Sequence, residues 1–245
     1  MFMISKAQIK RIASLQQKKY RGIHNQFVVE GQKMVFEALN SGFKVLEIFG
    51  LPDILKSFSF SQKVEITVTD LKKISGFKTP PGVLAVVEIP HLKANNFKLY
   101  TNKPKIYLEN LGDPGNLGTI MRTADWFGID QIFCSENTVD IYNPKVVQAT
   151  MGSVFRVKIS EVYLKDFISK CSENQIMAFG ADMNGVDYQT IPKNKPIALV
   201  IGSEANGLSD EALKLLKYKI SIPQKGSGES LNAAMASGIL LSWFG

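Results

Sequence analysis

The sequence predicts an α/β protein built as two domains in series. Three observations carry this. Short runs rich in β-branched residues, such as FVVE (27–30) and VLAVVEI (83–89), alternate with segments of helical spacing. IALVIG (197–202) is apolar throughout, as a parallel strand covered on both faces requires. Periodicity lapses between His91 and Lys103, which sets a first domain over 1–95, a linker over 96–103 and a second domain over 104–245.

In the first domain, Ser5 to Leu15 reads as a basic helix. Ile9, Ile12 and Ala13 share one face and Ser5 is placed to cap it. QQKKYRGIHNQ is polar and basic with a glycine, and reads as a loop. FVVE is a strand, and Gln32 to Leu39 a helix ending near Gly42. KVLEIFG (44–50) and VEITV (64–68) are strands. Thr69 or Asp70 caps a short helix through Ile74, stopped by Gly76, before the strand VLAVVEI.

In the second domain, KIYLEN (105–110) is a strand. Leu117, Ile120, Met121, Ala124 and Phe127 then have helical spacing, and Gly128 ends that helix. QIFCS (131–135) is a strand, and Asn143 to Thr150 a helix opening on Asn-Pro. QIMAFGA (175–181) and IALVIG are strands. Ser209 caps SDEALKLL, with Asp210 and Glu211 at its positive end. YKISIP (218–223) is the last strand, followed by a helix from about Ser230.

Composition narrows the chemistry. The 245 residues contain no apolar run near the ~20 residues that span a membrane. The candidate Ala233 to Phe244 is short and broken by Ser237, Gly238 and Ser242. The opening MFMISKAQIKRI lacks the apolar core of a secretory signal, so a cytoplasmic protein is expected. Cys134 and Cys171 cannot build a disulfide framework and read as reduced, buried thiols. His24 and His91 stand apart from any Cys or Asp cluster, which argues against a metal site or a His-based triad. Carboxylates, amides, hydroxyls, a guanidinium or a cofactor remain.

The net charge of +7 is unevenly placed. Residues 1–100 hold 15 Lys and Arg against 7 Asp and Glu; residues 101–245 hold 14 against 15. No acid precedes Glu30, whereas Lys18, Lys19 and Arg21 are among the six cations there. Such an asymmetry points to a front part that holds a polyanion such as a nucleic acid, with these three as candidate contacts to it. A merely solvated lysine-rich face is the competing reading.

Three polar loops follow strands of the second domain. The first runs from Asn110 through Asn116 to Arg122, the second from Gly202 through Glu204 and Gly207 to Ser209, and the third from Ile222 to Ser230, Leu231 and Asn232. Ligands of open α/β sheets bind beyond the carboxyl ends of strands. Glycines that let a backbone approach closely, with short polar side chains, describe a small-molecule pocket there. Neither a G-x-G-x-x-G fingerprint nor a phosphate-binding G-x-x-x-x-G-K-[ST] loop occurs. Residue spacing alone reaches no further than a pocket beside a polyanion-binding module.

At these loops the sequence resembles the SpoU (TrmH) family of RNA ribose 2′-O-methyltransferases in the SPOUT superfamily. The motif N-x-x-D-P-x-N-x-G-x-I-x-R-T-A is matched by Asn110, Asp113, Pro114, Asn116, Gly118, Ile120, Arg122, Thr123 and Ala124. G-x-E-x-x-G is matched by Gly202, Glu204 and Gly207. The third motif is matched by Ile222, Pro223, Gly226, Glu229, Ser230, Leu231, Asn232, Ala234 and Ala236. The stretch 18–39 is similar to the substrate-binding domain often fused to this catalytic domain, an α/β fold related to small ribosomal proteins that bind RNA.

The resemblance implies a parallel sheet with a trefoil knot, S-adenosylmethionine as cofactor, no metal, and a homodimer whose partner chain completes the pocket. Cofactor contacts are expected at Gly202, Gly207, Ile222 and Leu231, and near Ala181. Catalytic roles are expected for Arg122, Asn116, Glu204, Ser230 and Asn232. A guanidinium is a poor base. Arg122 is therefore expected to bind phosphate and polarise the hydroxyl, with Glu204, water or the phosphate as proton acceptor. Ribosomal RNA is the first expected substrate and transfer RNA the second. A base methyltransferase and a non-catalytic, ribosome-associated RNA-binding factor are the alternatives.

Overall fold

The structure, a computed structural model, describes residues 4–90, Phe97, Leu99 and 103–245. The expected linker at 96–103 lies outside the described residues except for Phe97, Leu99 and Lys103. Two compact units are present, and one feature of their division departs from a single cut: residues 140–156 belong with the front unit.

In the front unit, α1 (Lys6–Ser14) is closed by a reciprocal box in which Ser5 and Gln8 satisfy each other's backbone. The stretch expected to be a loop is instead helix α2 (Lys18–His24), ended by Asn25 in the left-handed region at φ 53°. Its four-residue spacing from Arg21 to Asn25 closes the last turn, and the tertiary bonds of Arg21 outweigh weak propensity. Then come β1 (Gln26–Glu30), α3 (Gln32–Leu39), β2 (Val45–Gly50), α4 (Pro52–Leu55), β3 (Lys63–Glu65), α5 (Val68–Ile74) and β4 (Val83–Glu88). The cap of α5 is Thr67, not Thr69 or Asp70. The sheet order is β1-β4-β2-β3, with only β2 and β3 parallel. One face buries Val28, Phe49, Leu84 and Val86 with Ile12, Leu15, Leu71 and Ile74. On β1 the alternate residue Phe27 meets Phe43 and Tyr142 at centroid distances of 6.2 and 4.5 Å.

That contact explains why 140–156 sits in this unit. Helix α7 (Pro144–Ala149) packs on β1, Phe155 meets Phe43 at 5.2 Å, and Arg156 pairs with Glu37. Asp140 takes the Arg21 guanidinium.

The second unit contains β5 (Lys105–Leu108), α6 (Pro114–Trp126), β6 (Gln131–Cys134), β7 (Lys158–Glu161), α8 (Leu164–Glu173), β8 (Met177–Asp187), β9 (Ile197–Ile201), α9 (Asp210–Leu215), β10 (Tyr218–Ser221) and α10 (Ala233–Phe244). All six strands are parallel, in the order β10-β8-β9-β5-β6-β7. Every residue of β9 is buried, as its unbroken apolar run requires. On one face Tyr107, Phe133 and Val200 pack with Phe167 and Cys171 of α8 and Ala212 of α9. Phe97 and Leu99 join this core, so it reaches back before residue 104. Cys134 and Cys171 are buried, neither is in a disulfide, and burial pushes the Cys171 thiol up to about 12. Helices α6 and α10 pack side by side and parallel: Asn232 meets Asn116 at one end, and Gly245 lies against Phe127 at the other.

Candidate active site

Because all strands of the second unit run one way, their carboxyl ends share one edge, and the three polar loops gather there. Asp113 caps α6 by accepting from the Asn116 N–H at 2.7 Å, with Pro114 in the first turn. Asn232 caps α10, its Oδ1 accepting from the N–H groups of Ala234 and Met235 at 2.8 and 3.3 Å. The positive ends of two helices of 13 and 12 residues therefore converge.

A one-way relay of hydrogen bonds joins the loops. Since Asn232 Oδ1 is occupied by backbone donors, its Nδ2 turns to Asn116 and donates to Oδ1 at 2.9 Å. Asn116 Nδ2 then donates to Glu204 Oε1 at 2.7 Å. Glu204 Oε2 faces the Gly112 N–H at 3.4 Å. Each amide orientation is fixed by the one before it, and Glu204 ends the chain as an acceptor.

The turn that bears Glu204 is narrow. Ser203 and Gly207 exchange two backbone hydrogen bonds of 2.9 Å, and Gly207 sits at φ 65°. A Cβ on Gly202 would collide with the carbonyl group of Gly207. Gly202 is thus required by the turn itself.

The remaining expected site residues are distributed as follows. Gly180 is in register with Val200 on one side and Lys219 on the other; Ala181 follows it within β8, while Gly202 and Ile222 are the first residues beyond β9 and β10. The register between β10 and β8 shifts there: Lys219 faces Gly180 and Ile220 faces Val186, with Gly185 already close against the β10 backbone and its carbonyl accepting from Ser221 Oγ at 2.9 Å. Leu231 is half exposed, and no atom crowds Gly226 or Gly228. Backbone donors and acceptors at the strand ends, with the apolar side chains of Ile222 and Leu231, suit a purine and a ribose, so these residues fit S-adenosylmethionine.

Arg122 is exposed, six residues beyond Asn116 on α6 and so ~9 Å along the axis, and it makes no hydrogen bond or ion pair with a member of the relay. Ser230 is likewise exposed and outside the relay. Among the described residues no group of three His, Cys, Asp or Glu is placed to hold a metal ion.

In the front unit, Lys18 and Lys19 are exposed, but Arg21 is not a free cation. It is 3% exposed; Nε donates to Asp140 Oδ2 at 2.9 Å and Nη1 to the Leu15 carbonyl at 2.8 Å. Its expected role as an RNA contact is corrected to a structural one. Sequence reading missed Glu109, buried at the end of β5 with both carboxylate oxygens on Ser209. A single glutamate at a strand end gives no signal by spacing.

Residues 103–242 match the profile of the SpoU rRNA methylase family, and residues 6–85 that of an MRM3-like substrate binding domain. The chain is 30% identical over 243 residues to the 23S rRNA guanosine 2′-O-methyltransferase RlmP of Bacillus subtilis, covering 95% of this chain and 94% of that one. Its structure resembles a protein of the TrmH family from Porphyromonas gingivalis, with a TM-score of 0.88, 34% identity and coverage of 99% and 98%. It also resembles an AdoMet-bound rRNA methyltransferase from Sinorhizobium meliloti, with a TM-score of 0.87, 31% identity and coverage of 98% and 95%.

Proposed function

Since the chain belongs to the SpoU rRNA methylase family, and so is an S-adenosylmethionine-dependent RNA 2′-O-methyltransferase, we propose that it acts on ribosomal RNA through the Asn116–Glu204–Asn232 cluster. The relay that joins the three motif loops at the positive ends of two helices is the observation that carries this reading. When bound, S-adenosylmethionine supplies an electrophilic methyl group, held beside Ala181, Gly202, Gly207, Ile222 and Leu231.

The chain's own residues orient the ribose hydroxyl and take up its proton. Glu204 is the acceptor that the relay aims and holds. The Arg122 guanidinium donates to an RNA phosphate next to the reacting ribose, and Ser230 contacts the same nucleotide. Arg122 stands on the face of α6 that also carries Trp126, 86% exposed one turn later. An exposed tryptophan there supports a homodimer in which Arg122 of one protomer completes the site of its partner. The trefoil knot and a cytoplasmic location belong to the same reading; no helix among the described residues is long and apolar enough to cross a membrane.

RNA is held by the front unit. Its carboxylates Glu37, Glu47, Asp53, Asp70 and Glu88 are ion-paired. Lys6, Lys10, Lys18, Lys19, Lys33 and Lys72 pair with no carboxylate among the described residues, which leaves a surplus of cations for phosphates. The relatives include 23S rRNA enzymes for a guanosine and for a uridine, so ribosomal RNA is carried over and the nucleotide is not. Mapping 2′-O-methyl positions in RNA from a strain lacking the gene tests this. Loss of one ribosomal site is expected; loss confined to transfer RNA would overturn the substrate.

A further inference from the structure

We propose that Glu109 is a positioning residue for methyl transfer, clamping the turn that carries Glu204 to the loop that carries Asn116. This rests on reading the Asn116–Glu204–Asn232 cluster as the reaction centre. Glu109 continues β5 by one residue, its N–H donating to the Ile201 carbonyl at 2.8 Å. It is 6% exposed, and no lysine or arginine among the described residues pairs with it. Both carboxylate oxygens are given to one residue: Oε2 accepts from the Ser209 N–H at 2.9 Å, and Oε1 from Ser209 Oγ at 2.6 Å.

The two ends of this clamp adjoin the two loops of the relay. Glu109 directly precedes Asn110, which opens the first loop and is held at φ 54° with its N–H on Ser135 Oγ at 2.8 Å. Ser209 closes the second loop and caps α9, its Oγ accepting from the Ala212 N–H at 3.1 Å. Between Gly202 and Ser209 the chain is a closed turn, pinched by the Ser203–Gly207 pair. Such a turn moves as one piece, so its far anchor at Ser209 sets where Glu204 points. A buried carboxylate is an expensive way to fill space, since an apolar side chain would pack there without desolvating a charge. Two directed bonds to a single residue fix an orientation that packing alone does not.

Three variants test the proposal in the full chain. Glu109→Met keeps the volume and removes both acceptors. Ser209→Asp keeps a good helix cap but sets a second carboxylate against Glu109. Glu109→Gln added to Ser209→Asp lets the amide donate to the new carboxylate and accept from its N–H, restoring the clamp with reversed polarity. The first two are expected to lower kcat per folded site about tenfold or more with the RNA KM little changed, because small misplacements at a reacting centre are costly. Amide hydrogen exchange at Ser203 and Gly207, measured without RNA or methyl donor, is expected to quicken in both, and the double variant to recover both properties. If Glu109→Met does not fold, Ser209→Asp and its rescue decide. Parental kcat in either folded single variant, unaltered exchange, or no rescue would overturn the clamp. A parent protein that transfers no methyl group to RNA while exchange responds as described would overturn the reading of the site and leave the clamp standing.

Discussion

Asn116 donates in one direction and accepts in the other, and neither half of its amide can be turned without setting donor against donor. The polarity passes from the α10 backbone through Asn232 to Glu204. Glu204→Gln is nearly isosteric, yet its amide cannot serve both Asn116 Nδ2 and the Gly112 N–H as an acceptor. Methyl transfer is expected to fall on the order of 100-fold with the fold intact, read by initial rates and by circular dichroism. Arg122→Lys is expected to lose a comparable factor, since a lysine cannot offer the planar fork that grips phosphate; near-parental turnover of the lysine variant would contradict that role. Asn116, Glu204 and Asn232 were legible because each stands beside a glycine turn or opens a helix after a strand. Glu109 was not, since its partner lies 100 residues away. Arg21 was misread for the same reason: in a lysine-rich stretch it looks solvated, and Asp140 is 119 residues distant.

Arg21 also sets what α2 and the 140–156 segment do for the front unit. Truncating it leaves the Asp140 carboxylate facing an interior without its partner. Arg21→Ala is expected to cost about 3 kcal/mol in denaturant unfolding, whereas Lys18→Glu with Lys19→Glu should cost little, because those side chains are solvated. A second element-level test concerns Glu30, which accepts from Ser75 Oγ at 2.5 Å and the Gly76 N–H at 2.7 Å, joining β1 to the end of α5. Burial raises its carboxyl above the ordinary 4.5, against the lowering by those two bonds. The folded state thus holds this proton more tightly than the unfolded chain. Its contribution is present below the ordinary value and is lost as pH rises through the raised one. Glu30→Gln can accept from Gly76 and donate to Ser75, so the parent's stability relative to this variant should decline as pH rises above the ordinary 4.5 in chemical unfolding; a flat difference would refute it. Among elements, β1, α3, β4, β9 and α6 were legible because period and caps agree. Helix α2 was not, being held by tertiary bonds. Helices α4 and α8 and strand β7 also went unread, and β8 was stopped short at Ala181, because Asp182 to Gly185 carry turn chemistry inside a strand that runs on to Asp187.

On the scale of the whole chain, a basic front unit and a rear unit with a polar strand-end cluster were both visible in charge and motif order. The return of 140–156 to the front unit was not, because its anchors Tyr142 and Phe155 pack against residues distant in sequence. Tests of the rear unit therefore use the full chain, since cutting at residue 104 would strip those side chains of their partners. Reversing Lys18 and Lys19 should lower the log–log salt slope of RNA binding by roughly 0.7–0.9 for each phosphate that these lysines neutralise, and leave S-adenosylmethionine affinity unchanged. An unchanged slope in filter binding would remove these two lysines from the RNA interface.

Ribose methylation of ribosomal RNA by the motif residues is measured with the purified 245-residue chain, S-adenosylmethionine and ribosomal RNA lacking the modification. After transfer, the RNA is digested to nucleosides and weighed by mass spectrometry. A 2′-O-methylnucleoside is expected, lost with Arg122→Ala and formed on the order of 100-fold more slowly with Glu204→Gln. A methyl group on a base, or transfer that survives both substitutions undiminished, would contradict ribose methylation by these residues.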